Sequence, residues 1–268
     1  MLRITILGSG TSTGVPLIGC ICPVCTSDDP RDNRLRTSIK IESETTCIII
    51  DTTPDFRYQM LRTKTTHIDA VVFTHPHRDH YAGLDDIRPF NFFSGKSMPI
   101  YANAITQVAI QRDFYYAFEA NKDAGLPEMQ LHTIDHETTF KIGDIQLTPI
   151  QVMHREMPVL GFRIGDFTYI TDANYISEEA IEQIKGSKVL ILNALRPQSH
   201  PTHFTLSEAI AMAQSLNIPQ TYFTHFSHAA APSRSRVRSR CSATRSATSR
   251  SQTGLRSKAR SRPMRRRC

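Results

Sequence analysis

The sequence predicts a layered domain that mixes short strands with helices, an α/β or α+β arrangement. Three observations carry this. Strand-length apolar runs recur through residues 1–228, with helix-length segments between them. Apolar residues make up 40% of the 268-residue chain and include thirteen Phe, enough for one sizeable core. Four of the apolar runs stop at a ligand-type residue: AVVFT before His75, IQLTPIQVM before His154, FTYIT before Asp172 and QTYFT before His225. The C-terminal ends of strands are where α/β folds place their chemistry.

In chain order, strands are expected over 2–7, 37–41, 46–51, 70–74, 99–101, 145–152, 160–164, 167–171, 188–193 and 220–224. Helices are expected over 54–62, 84–90, 104–118, 177–184 and 206–216. No internal repeat is evident. No apolar run approaches the ~20 residues of a membrane span. The start, MLRITILGSG, reads as a strand and a glycine loop rather than a signal peptide, so a cytoplasmic protein is expected.

The formal net charge of +7 misleads. Residues 229–268 hold twelve Arg, one Lys and no acidic residue, which leaves 19 basic against 25 acidic residues in 1–228. The basic excess that hints at nucleic acid belongs to the tail alone. That tail reads as a disordered basic segment, as a nucleic-acid-binding tail, or as text from outside the natural reading frame. The expected organisation is one domain over 1–228 and an Arg/Ser-rich tail over 229–268.

The stretch FTHPHRDHYAG places His75, His77, Asp79 and His80 within six residues. On a tight loop this spacing can feed two neighbouring metals, one through His75 and His77, the other through Asp79 and His80. Imidazole nitrogen with carboxylate oxygen suits zinc, and also Mn or Fe. Two such metals ~3.5–4 Å apart can clamp a water, lower its pKa and stabilise an in-line displacement. His154, Asp172 and His225, each weak alone, are the natural supply of further ligands.

A second constellation is Cys20, Cys22 and Cys25, spaced C-x-C-x-x-C. Three thiols so close rarely form disulfides in a cytosolic protein. Structural zinc, which needs a fourth ligand, stands against free thiols or a redox role. Cys47 reads as core, and Cys241 and Cys268 carry no signal. The loop GSGTSTGVP lacks the Lys and spacing of a P-loop. Arg57 and Arg88 read either as phosphate clamps or as salt-bridge partners.

THPHRDHYAGLDD resembles the HxHxDH signature of the metallo-β-lactamase superfamily. GSGTSTGVPLIGCICPVC, RLRTSIKI, DTTPDFRYQ and GLDDIRPFNFF are similar to one branch of it, the phosphoribosyl cyclic phosphodiesterases of the carbon–phosphorus lyase pathway, with tRNA 3′-processing endonucleases as cousins. The resemblance covers about residues 1–228. It implies a four-layer αββα sandwich with a two-metal site at one edge. By position, it implies that His75, His77 and His154 hold one metal, that Asp79, His80 and His225 hold the second, and that Asp172 bridges them. It implies that Asp51 orients a ligand from behind, and that His228 completes a structural zinc with Cys20, Cys22 and Cys25. His203 matches the position of the general acid, ahead of His200; the alternative is that His203 only caps the helix starting near Leu206. Relatives continue past THFSH with a Gly-His stretch and a final strand, where this chain has Arg/Ser-rich text.

The expected activity is therefore that of a metal-dependent phosphoric diester hydrolase with two active-site metals, Zn or Mn, and one structural Zn. The catalytic residues would be His203, Asp79 and Asp172. The substrate would be a small phosphodiester, cyclic or linear, such as phosphoribosyl 1,2-cyclic phosphate. Only 18 residues separate His154 from Asp172, leaving no room for the tRNA-gripping arm of the cousins. The acidic body also repels a polyanion. A ribonuclease Z-like nuclease and a non-catalytic, metal-stabilised binding protein are the alternatives. No nucleic-acid or membrane partner is expected, and the resemblance suggests a homodimer.

Overall fold

The computed structural model describes residues 1–119 and 125–230. All of the tail from 231 onward, with Cys241 and Cys268, lies outside the described residues.

Twelve strands among the described residues form two six-stranded sheets, each in chain order. The first holds β1 (Arg3–Gly8), β2 (Ser38–Glu42), β3 (Cys47–Ile50), β4 (Ala70–Val72), β5 (Met98–Ala102) and β6 (Met129–Thr133). The second holds β7 (Phe140–Ile142), β8 (Ile145–His154), β9 (Met157–Ile164), β10 (Phe167–Ile170), β11 (Val189–Asn193) and β12 (Gln220–Thr224). Each sheet begins with antiparallel neighbours and ends with parallel ones. The parallel strands need crossovers, and helices supply most of them. These are α1 (Phe56–Arg62), α2 (Arg78–Tyr81), α3 (Arg88–Ser94) and α4 (Ala104–Asp113) on the first sheet, and α5 (Glu178–Ile184) and α6 (Leu206–Ser215) on the second. The two halves thus repeat one plan, although no repeat shows in the sequence.

Side-chain alternation builds the layers. In β3, Ile48 and Ile50 face the second sheet and join Leu160, Phe162, Tyr169 and Ile191 in a central core. Ile49 points the other way and packs with Phe56, Met60, Phe73 and Tyr81 under the first helical layer. Ile150, Val152, Leu190 and Leu192 pack with Ala180, Ile184 and Ala209 under the second helical layer. Burying each such Ile contributes about 2–3 kcal/mol. Helix, sheet, sheet, helix is the αββα sandwich that the family resemblance implies.

Two strands were not expected, β6 and β7. MQLHT lacks a clear alternation, and FKI is three residues long. The helix expected over 84–90 is instead a 3-10 turn (Leu84–Ile87) followed by α3. Pro89 cannot sit inside a continuous helix, but it is tolerated in the first turn of a new one. The helix expected over 104–118 stops at Asp113, and a 3-10 turn follows (Tyr115–Ala117).

Candidate metal centre

The sequence-selected residues meet at one edge of the sandwich, where strands of both sheets end. Asp51 follows β3. His75 lies three residues past β4. His77 is the N-cap residue of α2, whose first turn carries Asp79 and His80. His154 is the last residue of β8, Asp172 lies two past β10, and His225 follows β12. Asp51, Asp172 and His225 all adopt the left-handed region, with φ of 68°, 52° and 60°. For non-glycine residues this conformation costs roughly 1–3 kcal/mol each and persists only where the surroundings enforce it.

The surroundings are visible. Asn193, at the end of β11, accepts from the Ala173 amide at 2.8 Å and donates to the Ala173 carbonyl at 2.9 Å, clamping the residue after Asp172. The Phe204 amide donates to the same carbonyl and so brings His203 beside Asp172. The His225 amide donates to the Thr37 hydroxyl, which donates in turn to the Gly10 carbonyl. The Phe226 amide donates to the Ser9 carbonyl. Thus the end of β12 is fastened to the glycine loop after β1. That loop runs so close to its neighbour that a Cβ on Gly8 would lie 2.0 Å from the Arg36 carbonyl oxygen.

Asp79, His80, Asp172 and His225 offer donor atoms all within 4.8 Å of one another. His80 Nε2 lies 3.3 Å from Asp79 Oδ2 and 3.2 Å from Asp172 Oδ2, and His225 Nε2 lies 3.2 Å from Asp172 Oδ1. The rings of His75, His77 and His154 form a second group, with centroids 4.7, 5.0 and 5.9 Å apart. His154 and Asp172 also form a donor group with His203, whose Nε2 lies 3.0 Å from Asp172 Oδ1. His77 is exposed and marks the open side, whereas His75, His80 and His225 are buried.

The back sides of His75, His80 and His154 are fixed, whereas His225 Nδ1 is buried without a hydrogen-bond partner. His80 Nδ1 donates to Asp51 Oδ2 at 2.7 Å, which turns Nε2 inward. Asp51 also accepts from the Thr74 amide and hydroxyl. His154 Nδ1 donates to the Thr202 carbonyl at 2.6 Å. His75 Nε2 is buried with no hydrogen-bond partner, and His80 Nε2 is buried facing only the carboxylates of Asp79 and Asp172. Buried polar atoms are rarely left so, and a metal ion satisfies them.

The electrostatics point the same way. Burial, reinforced by His80, pushes His75 well below the ordinary imidazole value. Burial brings His225 down to about 4 and also lowers His154. Burial alone would raise Asp172, but His225 and His80 outweigh it and hold the carboxyl well below its usual range. Asp79 is lowered in the same way, chiefly by His80 overcoming burial. For His80, Asp172, Asp79 and Asp51 outweigh burial and raise the imidazole. Ionised carboxylates beside neutral imidazoles are the protonation states that metal ligation requires, and a metal ion would displace the His80 proton.

Cys20, Cys22, Cys25 and His228 converge as well, with donor atoms within 4.8 Å of one another. His228 Nδ1 lies 3.3 Å from Cys20 Sγ and 3.4 Å from Cys22 Sγ. Donors around a tetrahedral zinc sit roughly 3.5–3.8 Å apart, so these residues fit one. All four described cysteines are free. Cys47 packs under the first helical layer, and burial pushes its thiol up to about 12.

His203 does not cap α6. Thr205 does, in a capping box with Glu208. Arg88 pairs with Asp85 rather than facing the centre. Several supporting residues were not singled out from sequence, namely Thr74, Thr171 (whose hydroxyl donates to Asp172 Oδ2), Thr202, Asn193 and Thr37. One signal was available for two of them. Thr precedes the donor at three strand ends, in Thr74-His75, Thr171-Asp172 and Thr224-His225, and all three threonines are buried.

Residues 46–226 match the beta-lactamase superfamily domain. The chain belongs to the beta-lactamase superfamily. Among solved structures it is similar to a diphosphatase of the PhnP family, at 41% identity with a TM-score of 0.79, covering 85% of this chain and 88% of that one. The zinc-bound PqqB of Methylobacterium extorquens, at 19% identity and a TM-score of 0.69 over 85% of this chain and 90% of that one, shares the fold. An octanoyltransferase of Porphyromonas gingivalis is 38% identical over 229 residues, 85% of this chain and 46% of that protein. The chain spans about half the length, or less, of the curated relatives it matches. No helix among the described residues is long and apolar enough to cross a membrane.

Proposed function

We propose that the chain is a metal-dependent hydrolase of small phosphodiesters, with two divalent metals, Zn or Mn, in the active site and one structural zinc. The observation that carries this reading is the convergence of seven donors from both sheets on Asp172 and its neighbours. His75, His77 and His154 would hold one metal, Asp79, His80 and His225 the other, with Asp172 between them. When bound, such metals acidify water and neutralise charge on phosphoryl oxygens. Asp51 and Thr202 keep the imidazoles aimed inward. His203, with Nε2 at the centre, protonates the departing oxygen.

The similarity to a PhnP-family diphosphatase supports a phosphoryl substrate. A cyclic sugar phosphate such as phosphoribosyl 1,2-cyclic phosphate remains the first candidate. Acyl transfer is not carried over from the octanoyltransferase, of which this chain covers 46%. The four cysteines among the described residues are free, which suits a reducing cytoplasm. The test is turnover of ribose 1,2-cyclic phosphate by Mn²⁺- or Zn²⁺-loaded protein, beside a linear phosphodiester, a diphosphate ester and a short oligonucleotide. Faster opening of the cyclic ester is expected. Preference for the oligonucleotide would replace this reading with a nuclease, and metal binding without any turnover would leave a binding protein.

A further inference from the structure

His203 has two faces, and only one of them looks into the centre. Its Nε2 donates to Asp172 Oδ1 at 3.0 Å. Its Nδ1 points away, toward a residue the hydrolytic reading does not use. His200 Nδ1 lies 3.2 Å from His203 Nδ1, and the two rings sit 5.0 Å apart at 57°. The Thr202 hydroxyl closes the triangle, 3.1 Å from His200 Nδ1 and 2.9 Å from His203 Nδ1. Two imidazole nitrogens attract at this distance only when one carries a hydrogen and the other a lone pair. The Thr202 amide donates to His200 Nδ1 at 3.4 Å, which marks that nitrogen as the acceptor, and burial, together with His203 and Arg196, lowers His200 below the ordinary imidazole value. The triangle stands on the solvent side of His203, which is itself buried between His225, stacked at 4.9 Å, and His154, edge-on at 4.5 Å.

We propose that His200 is the positioning residue for the catalytic acid: its Nδ1, with the Thr202 hydroxyl, anchors His203 Nδ1 and thereby aims His203 Nε2 at the leaving group. Asp172 and His200 hold the two ends of one imidazole, as a carboxylate holds the far nitrogen of a catalytic histidine elsewhere. The inference rests on His203 acting as the acid. It makes HPTH a functional unit whose first histidine acts through its last, which chain position alone does not reveal.

The test compares two phosphodiesters on Mn²⁺-loaded full-length chain, one with an alkyl leaving group and one with 4-nitrophenolate, which departs without a proton. His200→Ala should lower turnover of the alkyl ester by about ten- to hundredfold, and that of the nitrophenyl ester by less than about threefold. His200→Asn, whose amide sits where Nδ1 was, should recover most of the loss. His200→Gln, whose amide sits where Nε2 was, should not. Side-chain ¹⁵N spectra of the metal-free protein supply a readout apart from turnover. The His203 Nδ1 signal should stay near its wild-type position in His200→Asn and move in His200→Ala, where the Thr202 hydroxyl alone is left to bond that nitrogen. Equal losses on both esters, rescue by Gln as good as by Asn, or an unchanged His203 signal in His200→Ala would each overturn the proposal. His203→Ala separates the failures. If it spares the alkyl ester, the acid role falls and the positioning role with it. If it does not, while His200→Ala does, only the positioning role falls.

Discussion

The histidine centre and the cysteine cluster both gather donors from distant parts of the chain, but they are built differently. The histidine centre stands on strand ends. All of its rings except that of His77 are buried, the outer nitrogens of His80 and His154 are held by Asp51 and the Thr202 carbonyl, and the left-handed Asp172 and His225 are clamped through Asn193 and Thr37. The cysteine cluster stands on an irregular loop. Its four donors are half-buried, and the loop displays Ile18 and Ile21 at 97% and 89% exposure. Its support is local, the Leu17 amide on Cys25 Sγ and short-range turn bonds such as the Cys20 amide to the Leu17 carbonyl and the Thr26 amide and hydroxyl to the Cys22 carbonyl. Strand ends can hold ligands in place before a metal arrives, whereas a loop of this kind takes its order from the metal.

The strongest way to break this comparison is at Asp172, which both halves of the histidine centre share. Asp172→Ala should reduce metal-dependent turnover by about a thousandfold or more, the scale of losing a preorganised electrostatic group. The two-metal proposal would be falsified if activity and metal stoichiometry, measured by turnover and elemental analysis, survived. Next comes the support. Asp51→Asn should weaken metal affinity or activity by about ten- to hundredfold, with an unchanged circular dichroism spectrum. An unaltered affinity in a metal titration would mean that His80 needs no backing.

The cysteine cluster gives a smaller but sharper contrast. In metal-loaded protein, alkylation mapped by mass spectrometry should spare Cys20, Cys22 and Cys25. After chelation these three should react, while Cys47, pushed up to about 12 by burial, stays unmodified. Protection of all four cysteines after chelation would show that the loop is ordered without metal. The smallest effect is a control on the scaffold. Thr205→Ala removes the α6 cap and should cost about 1 kcal/mol in denaturant unfolding, leaving metal content unchanged. A loss of metal there would mean that the loop carrying His203 holds the centre together.

Much of the centre was legible because its signal is local. Four donors crowd into HPHRDH, and each further donor ends an apolar run, which is a statement about strands that a sequence can make. The left-handed backbone at Asp51, Asp172 and His225 was not legible, since glycine is the usual sign of it and none stands there. The role of Asn193 was hidden for another reason. It depends on β10 and β11 lying side by side and parallel, a long-range fact. The contact of His228 with Cys20 spans 208 positions, and family resemblance rather than spacing suggested it. Strands β6 and β7 escaped because pairing and burial, rather than their own composition, make them strands.

His225 and His228 are three residues apart, yet one belongs to the histidine centre and the other to the cysteine cluster. Each is the last donor of its group to leave the ribosome. Until that short segment emerges, the nascent chain carries two open half-sites, with six imidazole or carboxylate donors in one and three thiols in the other. At roughly 5–20 residues per second the interval is long. Residues 20–25 wait through some two hundred further additions, exposed to whatever metal or oxidant the cell offers. The β12 end then seals both groups within one fraction of a second. If the two groups hold metals as proposed, neither set of ligands is complete until this one short segment has been made.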